Sequence, residues 1–266
     1  MDIQWYPGHM AKAKREIGEY LKQVDLVVEL VDARAPADSR NPDLKSLHRK
    51  PTVVAVTKAD LADPQATNMW LAFWCEQNDA CAVLDLQTGT GLRELFTAMH
   101  SRLSSRRRAA RALVAGIPNV GKSTLINRLA GANRAKTGAK PGVTRGRQWI
   151  KARGMQFLDT PGVLWPKFDD QETAIRLALI AAIRDDIYDQ EETAQWLLNH
   201  LQEHYPAVLS SRYGKNEDTH WLETIALRRG LLKSGGVPDT ERAAKALVQD
   251  FRLGRLGRIS LQWPKR

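Results

Sequence analysis

Cysteine is nearly absent, and so is any long apolar run. Only Cys75 and Cys81 occur, with five residues between them. That spacing suits neither a metal centre nor a disulfide framework, so two buried thiols in a reducing compartment are expected. No stretch reaches the ~18–20 apolar residues a membrane helix needs. The opening residues show neither the basic-then-apolar plan of a secretion signal nor the Arg/Ser-rich look of a transit peptide, so a cytoplasmic location with no membrane partner is expected. Acid is what the middle of the chain lacks: residues 101–153 carry fourteen Lys and Arg and no Asp or Glu. Residues 170–250 reverse this, with fourteen acids against nine bases, and Arg252, Arg255, Arg258, Lys265 and Arg266 then follow without an acid. Within a net charge of +10, such segregation points to a polyanionic partner such as RNA. A phosphate-handling site alone is the plainer alternative.

What is present fits a folded, two-part chain. The 266 residues, 43% hydrophobic, suffice for one large domain and a smaller one. Met10, Ala13, Ile17, Tyr20, Leu21 and Val24 fall at helical spacing and predict an amphipathic helix over 10–24, which Pro7-Gly8 keeps from starting earlier. Short β-rich runs at 26–31, 52–56, 81–86, 112–115 and 156–158 are separated by helix-length segments, the pattern of a mostly parallel α/β sheet. Beyond Pro166 the runs at 171–183, 191–204 and 240–251 read as helices with no strand between them. The expected organisation is an α/β domain over 1–166 and a smaller all-helical domain over 167–266, without internal repeats.

Gly116-Ile117-Pro118-Asn119-Val120-Gly121-Lys122-Ser123 fits the phosphate-loop pattern, directly after a strand and before a helix beginning near Thr124. There the backbone N–H groups of Asn119, Val120, Gly121, Lys122, Ser123 and Thr124 can face phosphate oxygens, Lys122 can meet β/γ oxygens, and Ser123 can ligate Mg²⁺. Asp159-Thr160-Pro161-Gly162 ends the next strand, where Asp159 can reach Mg²⁺ through water and the Gly162 N–H can sense a γ-phosphate. Pro141-Gly142-Val143-Thr144 lies between, and Thr144 can close the Mg²⁺ shell. Thr57-Lys58-Ala59-Asp60 follows the 52–56 strand: Asp60 can accept from guanine N1–H and the exocyclic amine, which adenine cannot supply, and the Lys58 stem can pack on the purine. Leaving a buried polar group unpaired rejects the wrong ligand by roughly 10⁴–10⁵, which favours GTP over ATP.

These motifs resemble those of translation-factor-type GTPases, but the guanine signature precedes the phosphate loop, the reverse of the ordinary order and the mark of circular permutation. With Trp5-Tyr6-Pro7-Gly8-His9-Met10, Val31-Asp32-Ala33-Arg34-Ala35-Pro36 and Gly254-Arg255-Leu256-Gly257-Arg258-Ile259, almost the whole chain resembles the YlqF-type ribosome biogenesis GTPase A family. The resemblance implies a circularly permuted P-loop GTPase domain followed by a helical, rRNA-docking domain. It also implies action in late assembly of the large ribosomal subunit, with the subunit precursor and its rRNA as partners; a monomer is expected. Asp85-Leu86-Gln87 stands where relatives carry Ser-Ala-Lys or similar; since the base contact there is a backbone N–H, which Leu86 keeps, Leu86 and Gln87 are expected to pack more weakly on guanine without loss of specificity. Thr57 in place of the commoner Asn is a milder departure, because a hydroxyl can still hold the loop.

Val163 follows the Asp-Thr-Pro-Gly string where many GTPases place a water-orienting Gln, so another group must orient the water. The resemblance assigns this to His9, and its chemistry allows it. Asn119 resembles the residue through which related GTPases hold K⁺ in place of an arginine finger. Three other readings compete: a GTP-dependent RNA or protein scaffold with incidental turnover, a P-loop ATPase, which Asp60 opposes, and a zinc protease from His200-Leu201-Gln202-Glu203-His204, which lacks a third ligand. Of the tryptophans near the basic region, Trp5, Trp149 and Trp165, packing is the favoured role over stacking on RNA bases.

Overall fold

In the computed structural model the described residues are 15, 17–41, 44, 50–77, 79–103, 109–131, 149–159, 170–215 and 220–264. Strands β1 (Leu26–Asp32), β2 (Thr52–Thr57), β3 (Ala80–Leu84), β4 (Arg111–Gly116), β5 (Trp149–Ala152) and β6 (Met155–Asp159) make one sheet in the order β3-β2-β1-β4-β6-β5. Every pairing is parallel except the β5–β6 hairpin. All seven residues of β1 are buried, as expected of a central parallel strand covered on both faces, and its Leu-Val-Val run has that composition. The two faces separate by the period of two that a pleat imposes. Leu26, Val28 and Leu30 join Val53 and Ala55 in one apolar cluster. Val31, Val54 and Val56 pack instead with Trp70 and Trp74, while Val27 meets Ile17, Tyr20 and Leu21 of the N-terminal helix, whose residues 17–21 are described.

Between the strands lie α1 (Pro64–Glu76), α2 (Leu92–Ser101) and α3 (Lys122–Ala130). The helical part contains α4 (Gln171–Leu179), α5 (Gln190–His204), α6 (Pro206–Tyr213), α7 (Trp221–Arg229) and α8 (Thr240–Arg252). Asp63, Asp170, Asp189 and Asp239 cap α1, α4, α5 and α8 by accepting first-turn N–H groups, each contributing about 1 kcal/mol. Apolar residues of α4 to α8 belong to the same cluster as one face of the sheet. The helices therefore bury their stripes against the α/β part as well as against one another.

The expectations need several corrections. The third strand stops at Leu84, because Asp85 closes a turn with its own side chain. The helix foreseen over 171–183 ends at Leu179, and Ala181 then takes a left-handed φ of +62°. Strand β5 and helices α6 and α7 went unforeseen. Cys75 is exposed and Cys81 half-buried rather than both buried; burial, with Asp79 nearby, pushes the Cys81 thiol up to about 11, so it is no nucleophile at neutral pH. The boundary placed at 166/167, together with His9, Thr144, Gly162, Val163, Trp5 and Trp165, lies outside the described residues.

Candidate nucleotide site

Parallel strands place their carboxyl ends on one side of a sheet, and the motif residues arrive there together. Asp32, the last residue of β1, stands in register with Thr57, the last of β2. Asp159 ends β6 opposite Val114 of β4. Gly116 leaves β4 into the phosphate loop with Leu30 as its β1 neighbour. A side chain at Gly116 would put Cβ 2.7 Å from the Leu30 carbonyl oxygen, and one at Gly121, where φ is +105°, would meet Leu86 Cδ1 at 2.8 Å. Close approach to a backbone carbonyl requires glycine at Gly116, and the left-handed φ requires it at Gly121. Ile117 and Val120 sink into the core, leaving the loop backbone on the surface side. Lys122 is buried, and its Nζ donates to Ile117 O at 2.6 Å, curling back over its own loop. Ser123 and Thr124 are exposed in the first turn of α3, where unpaired helical N–H groups and the helix dipole favour an anion. The cradle has the shape and the donors to take nucleotide phosphates, and Lys122 and Ser123 are the side chains that would meet them and Mg²⁺.

The guanine side is built differently. Thr57 is fully buried, and its hydroxyl lies 2.7 Å from Val120 O and 3.0 Å from Val31 O, so one side chain ties this loop to the phosphate loop. Lys58 adopts φ +57°, and its Nζ pairs with Asp32 Oδ2 at 3.0 Å. Asp32 also takes a bidentate pair from Arg34, Nε to Oδ1 at 2.9 Å and Nη2 to Oδ2 at 2.8 Å. Burial opposes charge on Asp32, but Arg34 and Lys58 outweigh it and hold the carboxyl well below the usual carboxylate range. Arg34 in turn lies over the Phe251 ring of α8 at 5.3 Å. Asp60 is exposed at the turn that follows, free of hydrogen bonds to other described residues and open to a base.

At the third loop, Asp85 accepts from Gln87 N at 2.7 Å, Thr88 N at 3.2 Å and Thr88 Oγ1 at 2.7 Å. The Thr88 hydroxyl, aided by those two amides, lowers the Asp85 carboxyl. Here Asp85 supplies the loop-closing acceptor, the Gln87 N–H is spent on it, and the Leu86 N–H is left without a partner among the described residues. Arg128, from α3, donates to Leu86 O at 2.8 Å, Thr88 O at 3.2 Å and Gln87 O. One guanidinium therefore gathers three consecutive carbonyls of the loop onto the helix that the phosphate loop begins.

Residues outside the motifs complete the support. Arg258 donates to Ala59 O at 2.8 Å and Ala62 O at 2.9 Å, Ile259 N donates to Leu61 O, and Asp63 N donates to Ser260 Oγ. The C-terminal segment thus straps the loop that carries Asp60. Asn119, at φ +58°, donates from Nδ2 to Ala181 O at 2.7 Å, linking the phosphate loop to the segment after α4. The sequence motifs gave no signal for the Arg128 or Ala181 contacts; the Gly254 to Ile259 signature did contain Arg258, but as a basic tail. Arg252 is spent on Ala178 O, Leu179 O and Asp185, and Arg255 on Asp250. These three arginines hold the fold, while Lys265 and Arg266 lie outside the described residues.

A family model described as "50S ribosome-binding GTPase" matches residues 111–210. The chain is 43% identical to ribosome biogenesis GTPase A of Bacillus cereus over 281 residues, covering 100% of this chain and 95% of that one. It belongs to the ribosome biogenesis GTPase A family. The relative from Thermotoga maritima is 35% identical over 99% of this chain and 95% of its own. Among solved structures, GDP-bound YlqF superposes with a TM-score of 0.75 at 29% identity, over 95% of this chain and 100% of that one. GNP-bound YlqF from T. maritima gives 0.71 at 30% identity, over 96% and 99%. The chain is accordingly a circularly permuted GTPase, with GTP as substrate and Mg²⁺ as the family's usual companion. Of the His200-x-x-Glu203-His204 string, His200 packs: its Nε2 donates to Ser260 O at 2.9 Å and its ring stacks on Trp196, and among the described residues no group of three or more such side chains could hold a metal ion. Trp149 is half-buried under Arg111 at 5.1 Å, a packing role.

Proposed function

We propose that this GTPase acts in late maturation of the large ribosomal subunit, binding the precursor and its rRNA in the GTP state and leaving after hydrolysis. The observation that carries the reading is the full-length match to ribosome biogenesis GTPase A. The acid-free stretch over 101–153 supports the RNA partner, since neutralising phosphates releases counterions and supplies most of such affinity. In this reading Thr57, Lys58, Ala59, Asp60, Leu86 and Gln87 hold guanine, and Asn119 to Thr124 with Gly162 hold the phosphates. Ser123, Thr144 and Asp159, the last through water, serve Mg²⁺. His9 positions the attacking water. The Asn119 amide donates its Nδ2 to Ala181 O, which leaves Oδ1 as the oxygen offered to K⁺. The helical domain over 167–266 docks rRNA. The protein works in the cytoplasm as a monomer.

The test is GTP turnover in K⁺ buffer with and without large ribosomal subunits, with Na⁺ and ATP as controls. Intrinsic turnover is slow, and a cation or partner that completes the site adds roughly 10³–10⁵ in rate. Strong stimulation by subunits, lost in Na⁺ or with ATP, is the expected result. Slow turnover indifferent to subunits would replace the assembly GTPase with a GTP-dependent scaffold. A His9→Ala protein with unchanged stimulated turnover would remove His9 from the mechanism.

A further inference from the structure

A cavity of about 730 Å³ lies between α1, α4, α5 and the C-terminal segment, and none of its lining residues belongs to the nucleotide loops. Trp196, His200 and His204 stand at i, i+4 and i+8 on one face of α5, successive rings 5.2 and 4.7 Å apart. Trp263 lies 4.8 Å from the His204 ring. Trp70 and Phe73 of α1 also line it. Among the described residues the charged lining is acidic: Asp170, Glu172 and Glu203 against Arg176. Arg176 is already held by Asp38 and Glu172 at 2.5 and 2.7 Å and lies over the Trp196 ring at 5.9 Å, and burial pulls His200 down to about 4, so it is neutral at pH 7. Glu203 is exposed, its nearest ion partner His204 at 3.8 Å.

Aromatic faces attract cations through the ring quadrupole, and carboxylates at the rim add to the attraction. The same carboxylates repel a phosphate backbone, and a lining whose one described guanidinium is already committed is the wrong one for RNA. In a chain of net charge +10, an acidic aromatic cavity is the exception that selects a partner of opposite sign to the nucleic acid. Its volume exceeds one side chain and suits a short extended segment. We propose that this cavity is a docking site for a basic polypeptide segment, whose arginine or lysine side chain enters beside the row of Trp196, His204 and Trp263 rings, with its charge toward Glu203.

The probe is a capped peptide alternating arginine and glycine, titrated into the full chain by calorimetry and tryptophan fluorescence, beside the same peptide with neutral citrulline and a short oligouridylate. The arginine peptide binds saturably, and citrulline weakens it about tenfold or more, the size of a lost cation–ring and ion-pair contact. Glu203→Lys, on an exposed side chain, weakens the arginine peptide by at least about fivefold. Trp196→Leu does the same while GTP turnover stays unchanged; where Trp196→Leu fails to fold, His204→Ala is read in its place. Equal binding of the citrulline peptide, absence of saturable binding, or indifference to Glu203→Lys would overturn the proposal. Oligouridylate binding lost on Trp196→Leu would assign the cavity to RNA and overturn it as well.

Discussion

The phosphate loop and the guanine loop meet at one place but are supported in opposite ways. The phosphate loop holds its shape chiefly with its own residues: Gly116 and Gly121 admit the close approaches, Ile117 and Val120 anchor it in the core, and Lys122 folds back on Ile117 O, with Asn119 on Ala181 O as one outer tie. The guanine loop is held from outside, by Arg258, Ile259 and Ser260 of the C-terminal segment and by Thr57 on Val120 O. The third loop leans on Arg128 in the same way. Phosphate recognition uses backbone N–H groups, which local dihedrals alone can aim. Base recognition needs one carboxylate at one place on a surface turn, and such a turn keeps its place only when tertiary contacts brace it.

The largest separation of the two loops is expected from their functional residues. Asp60→Ala should cut the preference for GTP over ATP by roughly 10⁴, since the carboxylate proposed to pair guanine is removed. Lys122→Ala should weaken both nucleotides alike, because it acts on phosphates that both share. Competition of each nucleotide against a fluorescent guanosine diphosphate reads this directly. If Asp60→Ala weakened ATP as much as GTP, the carboxylate would be supporting the site as a whole and not reading the base.

How much of this was legible beforehand follows the same division. The phosphate loop was readable because its chemistry demands fixed residue types at adjacent positions. The central strands were readable because burial on both faces leaves continuous apolar runs such as 26–31. Strand β5 escaped because its four residues, Trp-Ile-Lys-Ala, include an exposed Lys151 and look like neither a buried run nor a helix. Helices α6 and α7 are short, and Leu227 on α7 faces solvent, so their patterns are weak. The braces were invisible for a deeper reason: Arg258 and Ala59 are 199 residues apart in the chain, and no local pattern encodes such a pair. Arg252, Arg255 and Arg258 drew attention as free positive charge, yet packing spends each of them on a carbonyl or carboxylate.

A second brace makes the guanine side sensitive to pH. His200 donates to Ser260 O, and Ser260 Oγ accepts from Asp63 N at the end of the guanine loop. Burial lowers His200 from 6.5 to about 4. Because its folded value is depressed, the unfolded chain binds the proton first, so the stability tied to neutral His200 is complete above about pH 6.5 and is lost as pH falls toward 4. The loss amounts to at most about 3 kcal/mol. Thermal melts between pH 7 and pH 5 should fall more steeply for the native chain than for His200→Gln, which carries no titrating ring. Identical slopes would show that other groups govern the acid limb.

Smaller effects should come from the two arginines, and they sharpen the contrast most. Arg258→Ala leaves the carbonyls of Ala59 and Ala62 without their donors, and hydrogen bonds from a charged group to a carbonyl are each worth about 1.5–3 kcal/mol. Water replaces part of that at the surface, so a loss of about tenfold in GTP affinity is expected. Arg128→Ala should behave similarly at the third loop, and Arg128→Lys should recover little of it, because an ammonium cannot span three carbonyls as a guanidinium fork does. ATP should bind these variants as weakly as it binds the native chain, since the base-reading loops contribute nothing to it. The two braces touch different loops, so their effects should add within about 0.5 kcal/mol in the double variant. A strongly non-additive result would mean that the guanine and third loops move as one unit through Thr57 and the phosphate loop, and that the outside support acts on the whole rim of the site.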